Sequence, residues 1–400
     1  MRISSIEQFQ QGIESILDQQ ARLNRTQQQL ATGKNVLSPS DDPAAASQLL
    51  KLSSLIATNE QYDRNVAAAQ NELELQESVL ASSGNVLQRV RELVIQANNA
   101  AQSNQSRAAI GDEINNLADE LLQLSNTKNV SGEYIFSGYN SRTPAYVKVG
   151  SGFEFQGDQG QRLLQISEDA QLAVRDNGQD VFEGMTLGDG RFLLQTPGTN
   201  SGEALVKLTS ATDAVSDDYA ITFTQGTADG AVTYSIVGAE TGVIATGAYR
   251  SSEAISFNGI TIEIEGKVSD GDSYQIQKSA RQNIFQSVQA IADALQASLN
   301  TSSELSKLSN DLSQAIGSLD RGLEHLQGRR TIIGNRLQSV DTRVERNADE
   351  RLRLEREVSE IQDLDFAEAV SQLNLQSTAL QAAQQAYVKI QGLSLFNYLR

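Results

Sequence analysis

Apolar residues recur at three- and four-residue spacing from near the start of the chain. Phe9, Ile16, Leu23 and Leu30 form one column, with Ile6 and Ile13 beside it. This predicts a helix with a narrow apolar stripe that seeks a partner helix. Gly33 ends it. In Ser38-Pro39-Ser40-Asp41-Asp42-Pro43, two prolines and capping residues predict a loop and a restart. Asp42 is the expected N-cap and Pro43 the first helical residue, where its missing N–H costs nothing. The next stripe runs through Leu52, Val66, Leu73, Leu80, Leu87 and Val94, with polar Asn59 interrupting one step. A third helix is read from Ile110, Ile114, Leu117, Leu121 and Leu124.

The strongest periodicity lies near the other end. Leu305, Leu312, Leu319, Leu326, Ile333, Val340, Asn347, Leu354 and Ile361 recur every seven residues, and Ile316, Leu323, Leu337, Val344 and Val358 fill the companion column. About sixty residues of such helix would reach roughly 90 Å and should lie along the N-terminal helices. The heptad slips around Leu364-Asp365-Phe366, where Asp365 and Glu368 predict a fresh N-cap with a capping-box acid. A separate terminal helix begins there. Its stripe is Phe366, Leu373, Leu380 and Tyr387, with Ala369, Ala383 and Ile390 alongside and an apolar end at Leu393, Leu395 and Phe396.

Between these flanks the period changes from helical to two. Residues 132–279 hold most of the glycines and aromatics, the run from Gly259 to Gly266 alternates without fault, and Tyr219, Ile221 and Phe223 face away from Thr222 and Thr224. Such a pattern predicts half-buried strands. The expected fold class is therefore α+β: a long α-helical coiled-coil rod formed by both chain ends, with an inserted β-rich domain projecting from one side. The expected segments are an N-terminal assembly helix (1–36), a first half of the rod with a β-hairpin region (37–184), the inserted β-rich domain (185–278), a long C-terminal rod helix (279–362) and a C-terminal assembly helix (363–400).

Composition narrows the chemistry. The 400 residues carry a net charge of -18, which argues against a nucleic-acid groove, because phosphate binding needs clustered Lys and Arg. There is no Cys and a single His, His325, so thiolate chemistry is excluded and zinc sites and Ser-His-Asp triads are almost out of reach, since each needs imidazole placed beside specific partners. The N-terminus lacks the apolar stretch of a secretory signal, and no window is apolar enough for membrane insertion. The expectation is a non-enzymatic protein without cofactor or metal.

Four features with sharper readings resolve into plainer ones. Asp41-Asp42 next to Pro43 reads as capping rather than cation binding. Asp270-Gly271-Asp272 reads as a turn, since no bidentate Glu stands at calcium-loop spacing. His325 lies off the apolar columns and is expected to be an exposed helix residue. Arg329, Arg330, Arg336, Arg343, Arg346, Arg351, Arg353 and Arg356 are interleaved with Glu345, Asp349, Glu350 and Glu355, which favours interhelical and intersubunit ion pairing.

The ends also carry specific motifs. Leu30-Ala31-Thr32-Gly33-Lys34, Pro39-Ser40-Asp41-Asp42-Pro43-Ala44-Ala45-Ala46-Ser47 and Gly132-Glu133-Tyr134-Ile135-Phe136-Ser137-Gly138-Tyr139 resemble the flagellin-like hook-associated protein 3 family, FlgL. So do Asp363-Leu364-Asp365-Phe366-Ala367-Glu368-Ala369 and Gly392-Leu393-Ser394-Leu395-Phe396-Asn397-Tyr398-Leu399 near the C-terminus. The resemblance covers roughly residues 1–184 and 279–400. It implies a structural subunit at the hook–filament junction, lying between the first hook-associated protein and flagellin. It also implies an extracellular protein exported by the flagellar type III apparatus and its chaperone, without a cleaved signal peptide. Residues 1–36 and 363–400 would form the family's inner tubular layer.

Periodicity independently supports two terminal helices whose seams need partners; that the partners are other copies, in a self-assembling ring or helix, is what the resemblance implies. The expected interface is Ile6, Phe9, Ile13, Ile16, Leu23, Leu30, Phe366, Leu373, Leu380, Tyr387, Ile390, Leu393, Leu395 and Phe396. Both ends are expected to order only on assembly. Two other readings stay open, a flagellin filament subunit and a ligand-binding or enzymatic module in residues 185–278.

Overall fold

In a computed structural model the protein is described over residues 2–150, 152–212, 217–226 and 230–398. Three helices come first, α1 (Arg2–Thr32), α2 (Pro43–Ala97) and α3 (Asn104–Ser125). Next are β1 (Tyr146–Val149), β2 (Gly152–Phe155), β3 (Leu163–Ser167), β4 (Ala170–Ala173), the short α4 (Gly178–Phe182), β5 (Met185–Thr186) and β6 (Phe192–Gln195). Strands β7 (Leu205–Ala211), β8 (Tyr219–Gln225), β9 (Val232–Gly238), β10 (Gly242–Ala248), β11 (Ala254–Phe257), β12 (Ile260–Glu265), β13 (Ser273–Lys278) and β14 (Arg281–Gln282) follow. The chain ends in α5 (Ile284–Gln296), α6 (Ser302–Gln362) and α7 (Phe366–Tyr398). The expected α+β class, long terminal helices around an inserted β-rich region, is what the chain adopts.

Two compact units divide the chain, residues 1–65 with 342–400 and residues 66–341. In the first, both expected caps form. The Asp42 carboxylate accepts from Ala44 N and Ala45 N at 3.0 and 2.9 Å, and Asp365 accepts from Ala367 N and Glu368 N at 2.9 and 3.1 Å. Each satisfies N–H groups that a helix start leaves without a carbonyl. The two chain reversals are laced together: Asn35 N donates to Gln362 O (2.8 Å) and Leu364 N to Gly33 O (3.0 Å). Gly33 has φ +69°, a conformation that a β-carbon disfavours, and the Phe366 ring lies 3.6 Å from where that carbon would stand. Leu52, Leu354 and Ala369 are buried, and so are Asn59 and Asn347. The polar step at Asn59 is thus inside the seam, where an uncharged amide penalises shifted registers.

The second unit has two cores. In the helical one, Leu73, Leu80, Leu87 and Val94 of α2 join Ile110, Ile114 and Leu121 of α3, Val288 of α5, and Leu312, Leu319, Leu326, Ile333 and Val340 of α6. The heptad column therefore marks the buried stripe. An aromatic group of Phe136, Tyr146, Phe153, Phe182 and Phe285, with ring centroids 4.7 to 5.9 Å apart in the contacting pairs, closes one end of this core.

The single helix expected over 279–362 is instead α5 and α6. The break has a local cause at Asn300-Thr301-Ser302-Ser303-Glu304. The Glu304 carboxylate accepts from Asn300 N (2.7 Å) and Thr301 N (3.0 Å), while Thr301 Oγ1 accepts from Glu304 N (3.2 Å). This is a capping box. Leu305 then lies in the first turn, 41% exposed, and the stripe closes only from Leu308 onward. α5 packs on α3 closely enough that a β-carbon on Gly111 would stand 3.1 Å from Ala292 O.

The second core belongs to the strands. An antiparallel sheet runs β10-β9-β8-β13-β6 and faces a three-stranded sheet, β11-β12-β7. Tyr219, Ile221 and Phe223 and the alternating Ile260, Ile262 and Ile264 are buried between them, as the period of two predicts. Asp272 ends a turn, yet it is 1% exposed and accepts from Ser269 N (2.7 Å), Ser201 N (2.8 Å) and Gly202 N (3.1 Å). One carboxylate thus ties two loops. The strands are pinned to α6 by Asn310, which accepts from Val206 N (2.9 Å) and donates to Ala204 O (3.1 Å).

Candidate assembly interface

A stripe that finds only one partner helix leaves part of itself uncovered, and α1 and α7 show this. They pair inside the first unit. Thr26 Oγ1 donates to Gln376 Oε1 at 2.9 Å, and the Tyr387 ring stands 3.5 Å from where a β-carbon on Gly12 would lie. Of the expected interface residues, Ile16, Leu23, Leu30, Leu373, Leu380 and Tyr387 are half-buried. Ile13 is 40% and Phe366 56% exposed. The side chains of Ile6, Phe9, Ile390, Leu393, Leu395 and Phe396 lie outside the described residues. Beside the laced chain reversals lies a cleft of about 590 Å³, lined by polar groups including Arg25, Gln29, Asp365 and Gln372.

Periodicity missed part of this surface. Leu17, Val370, Leu375 and Val388 lie off the expected stripes and are 58, 47, 68 and 64% exposed. The signal was present in α7, whose apolar residues occupy more than one face, as in helices covered from several sides. Leu50 of α2 and Val344 and Leu352 of α6 are also exposed in this unit. Val344 therefore leaves the companion column expected for it. Exposed apolar side chains thus lie on all four helices of this unit.

Several titratable groups outside α1 and α7 are engaged in structural pairs. Arg175 is 2% exposed. It donates to both oxygens of Glu72 at 2.9 Å and to Glu133 at 2.7 Å, and Arg162 reaches Glu133 at 3.0 Å. The hydrogen bond from Arg175, and then the charges of Arg175 and Arg162, hold the Glu133 carboxyl below its usual range against the opposing effect of burial. Asp176 meets Arg336 at 2.8 Å and Arg329 at 2.9 Å, while Arg330 pairs with Glu77 and Arg351 with Asp63. Arg330 and Arg351 of α6 thus make interhelical pairs with α2, whereas Arg329 and Arg336 meet a loop carboxylate and Arg353 pairs with Glu350 of its own helix.

His325 corrects the reading of an exposed helix residue. It is half-buried, its Nε2 is hydrogen-bonded to Asp180 O at 2.9 Å, and its ring fills the place of a β-carbon on Gly184. The cause is tertiary: only the absent side chain at Gly184 lets α6 approach so closely. Among the described residues no three His, Asp or Glu groups converge to hold a metal ion. No described helix is long and apolar enough to cross a membrane.

Two family profiles match the helical ends, the bacterial flagellin N-terminal helical region at residues 3–141 and the bacterial flagellin C-terminal helical region at residues 314–399. The flagellar hook-associated protein 3 of Escherichia coli (strain K12) is 33% identical over 186 residues, covering 46% of this chain and 58% of that protein's length. The crystal structure of the flagellar junction protein FlgL from Legionella pneumophila is 30% identical and covers 74% of this chain and 99% of its own, with a TM-score of 0.69. FlgL from Xanthomonas campestris is 26% identical, covers 77% of this chain and 99% of its own, and superposes with a TM-score of 0.71.

Proposed function

Because the chain belongs to the flagellar hook-associated protein 3 (FlgL) family, a family of flagellar structural proteins, we propose that it self-assembles at the hook–filament junction and joins the first hook-associated protein to flagellin. The observation that carries the reading is the half-covered apolar surface of α1 and α7. Such a surface is completed by neighbouring copies and adjoining subunits, and it requires no catalytic group. Delivery to the outside of the cell then runs through the flagellar export apparatus and its chaperone.

Cells lacking the gene test this. Electron microscopy should show bare hooks while flagellin accumulates in the medium, and intact filaments would refute the proposal. A flagellin subunit, the nearer alternative, gives a different result: hooks without filaments and no flagellin shed.

The span 185–278 is proposed to be dispensable for junction formation. Its two ends lie side by side, with Leu187 N donating to Ala280 O at 3.2 Å, so a short Gly/Ser link can replace it without moving a helix. Filaments should persist on cells carrying that version. Because the replacement also removes Met185, which is 1% exposed, a second version retaining residues 185–187 separates loss of packing from loss of the sheets. Absence of filaments with both versions, despite normal export, would defeat the claim.

A further inference from the structure

Two Asn-Gly pairs occur in the chain, Asn177-Gly178 and Asn258-Gly259. Glycine leaves its own main-chain nitrogen unshielded by a side chain, so that nitrogen can attack the preceding asparagine amide and close a five-membered imide. The reaction needs a free N–H, a free side-chain amide and room for the new ring. The two pairs differ on all three counts.

Asn177 is buried and caps α4. Its Oδ1 accepts from Asp180 N at 2.8 Å, and its Nδ2 donates to Asp180 Oδ2 at 3.0 Å. Gly178 N donates to Phe136 O at 2.7 Å. The Phe155 and Tyr146 rings stand 3.0 Å from where a β-carbon on Gly178 would lie, which leaves no room for a new ring. Asn258 is exposed, and with Gly259 it forms the two-residue loop between β11 and β12 that the pair Phe257 and Ile260 closes. Its φ is +41° and that of Gly259 is +79°, both positive as in the primed turn that fits a hairpin's twist. Among the described residues the Gly259 N–H has no hydrogen-bond partner. The Asn258 amide has one, Tyr219 Oη at 3.5 Å, at the long limit of such a bond. Glycine is fixed at 259, because a β-carbon there would stand 2.2 Å from Thr212 Oγ1 and would have to accept the positive φ. The fold thus brings an unhindered nitrogen and an open amide together in one exposed turn.

We propose that Asn258 is a self-modification site, converting to a carboxylate with water as the only co-reactant. Gly259 N bonds to Asn258 Cγ and gives its proton to water, the Cγ–Nδ2 bond breaks, and ammonia leaves. Water then opens the imide. Breaking the N–Cγ bond gives aspartate, and breaking the bond from N to the former main-chain carbonyl gives isoaspartate. Nothing is oxidised or reduced. Either product adds a negative charge to the turn. Aspartate tolerates the positive φ and keeps the hairpin. Isoaspartate lengthens the main chain by one carbon inside a loop whose length sets the register. It therefore loosens the pairs Phe257 with Ile260 and Ser256 with Thr261, and the packing of the Phe257 ring on Tyr219, with centroids 5.2 Å apart. The β-rich region acquires a charge that grows with the age of the molecule and a weakened edge strand, β11.

The test uses purified full-length protein, held for days at mildly alkaline pH in water enriched in heavy oxygen, then digested and mapped by mass spectrometry. The peptide containing Asn258 should take up the label and yield two acidic products, one of them a substrate for protein isoaspartyl methyltransferase. It should convert about tenfold faster, or more, than the peptide containing Asn177. In urea, where the fold no longer separates them, the two sites should convert at similar rates. Asn258→Gln, which would have to close a less favoured six-membered ring, should lose the conversion. Conversion at Asn177 as fast as at Asn258 in the folded protein would overturn the proposal. So would an Asn258 peptide that stays unlabelled over the time in which the urea-unfolded chain converts, or persistence of the acidic products in Asn258→Gln.

Discussion

Replacing Arg175 with methionine is expected to destabilise the unit of residues 66–341 by about 3–5 kcal/mol, because the change leaves the carboxylates of Glu72 and Glu133 facing each other without their shared cation. In a unit of this size the melting temperature should fall by on the order of 10 °C. The pH dependence has a definite sign. Glu133 has a folded pKa below its unfolded value. Its contribution is therefore fully present above the unfolded carboxylate range and is lost as pH falls through the lowered folded value. In the variant the cation that lowers it most is gone, Arg162 alone remains beside it, and the facing carboxylates bind protons more readily, so the difference from the native chain should shrink on acidification. Urea unfolding at neutral pH and near pH 4 measures both. An equal difference at the two pH values would show that the loss is one of packing and not of charge.

Limited proteolysis of dilute, purified monomer should remove α1 and α7 and leave a stable product of about residues 40–362. Long helices in water depend on tertiary cover of an apolar face. Here that cover is partial, with Ile13 40%, Phe366 56% and Leu375 68% exposed. Neighbouring copies supply what the pair lacks, so assembly and ordering of the ends should coincide. Truncating Leu23 or Leu380 to alanine removes a side chain whose burial in a packed seam is worth about 2–5 kcal/mol. Repeated around a ring, that loss should abolish filament attachment while leaving the monomer's melting temperature unchanged. Resistance of both termini in the monomer would overturn the coupling of order to assembly. A lowered monomer melting temperature with attachment intact would remove these two residues from the interface.

Where a property depends on spacing along one element, the sequence was enough to determine it. The heptad column from Leu312 to Leu354 is the buried face of α6, Ile260, Ile262 and Ile264 are the buried face of β12, and Asp42 and Asp365 cap the helices they precede. Each follows from a period of 3.5 or 2, or from a side chain reaching its own backbone. The break at Thr301 was readable in the same way, from its capping box. Only the tertiary structure decided the rest, because it depends on residues far apart in the chain. His325 is half-buried because Gly184, more than a hundred residues earlier, leaves room for its ring. Asp176 meets Arg329 and Arg336 because a loop crosses α6. Asn310 lies inside because it holds β7 and the residue before it. Periodicity names the face that each helix buries, but which exposed side chains remain beside it, such as Leu17 and Val388, depends on where the neighbouring helices stop.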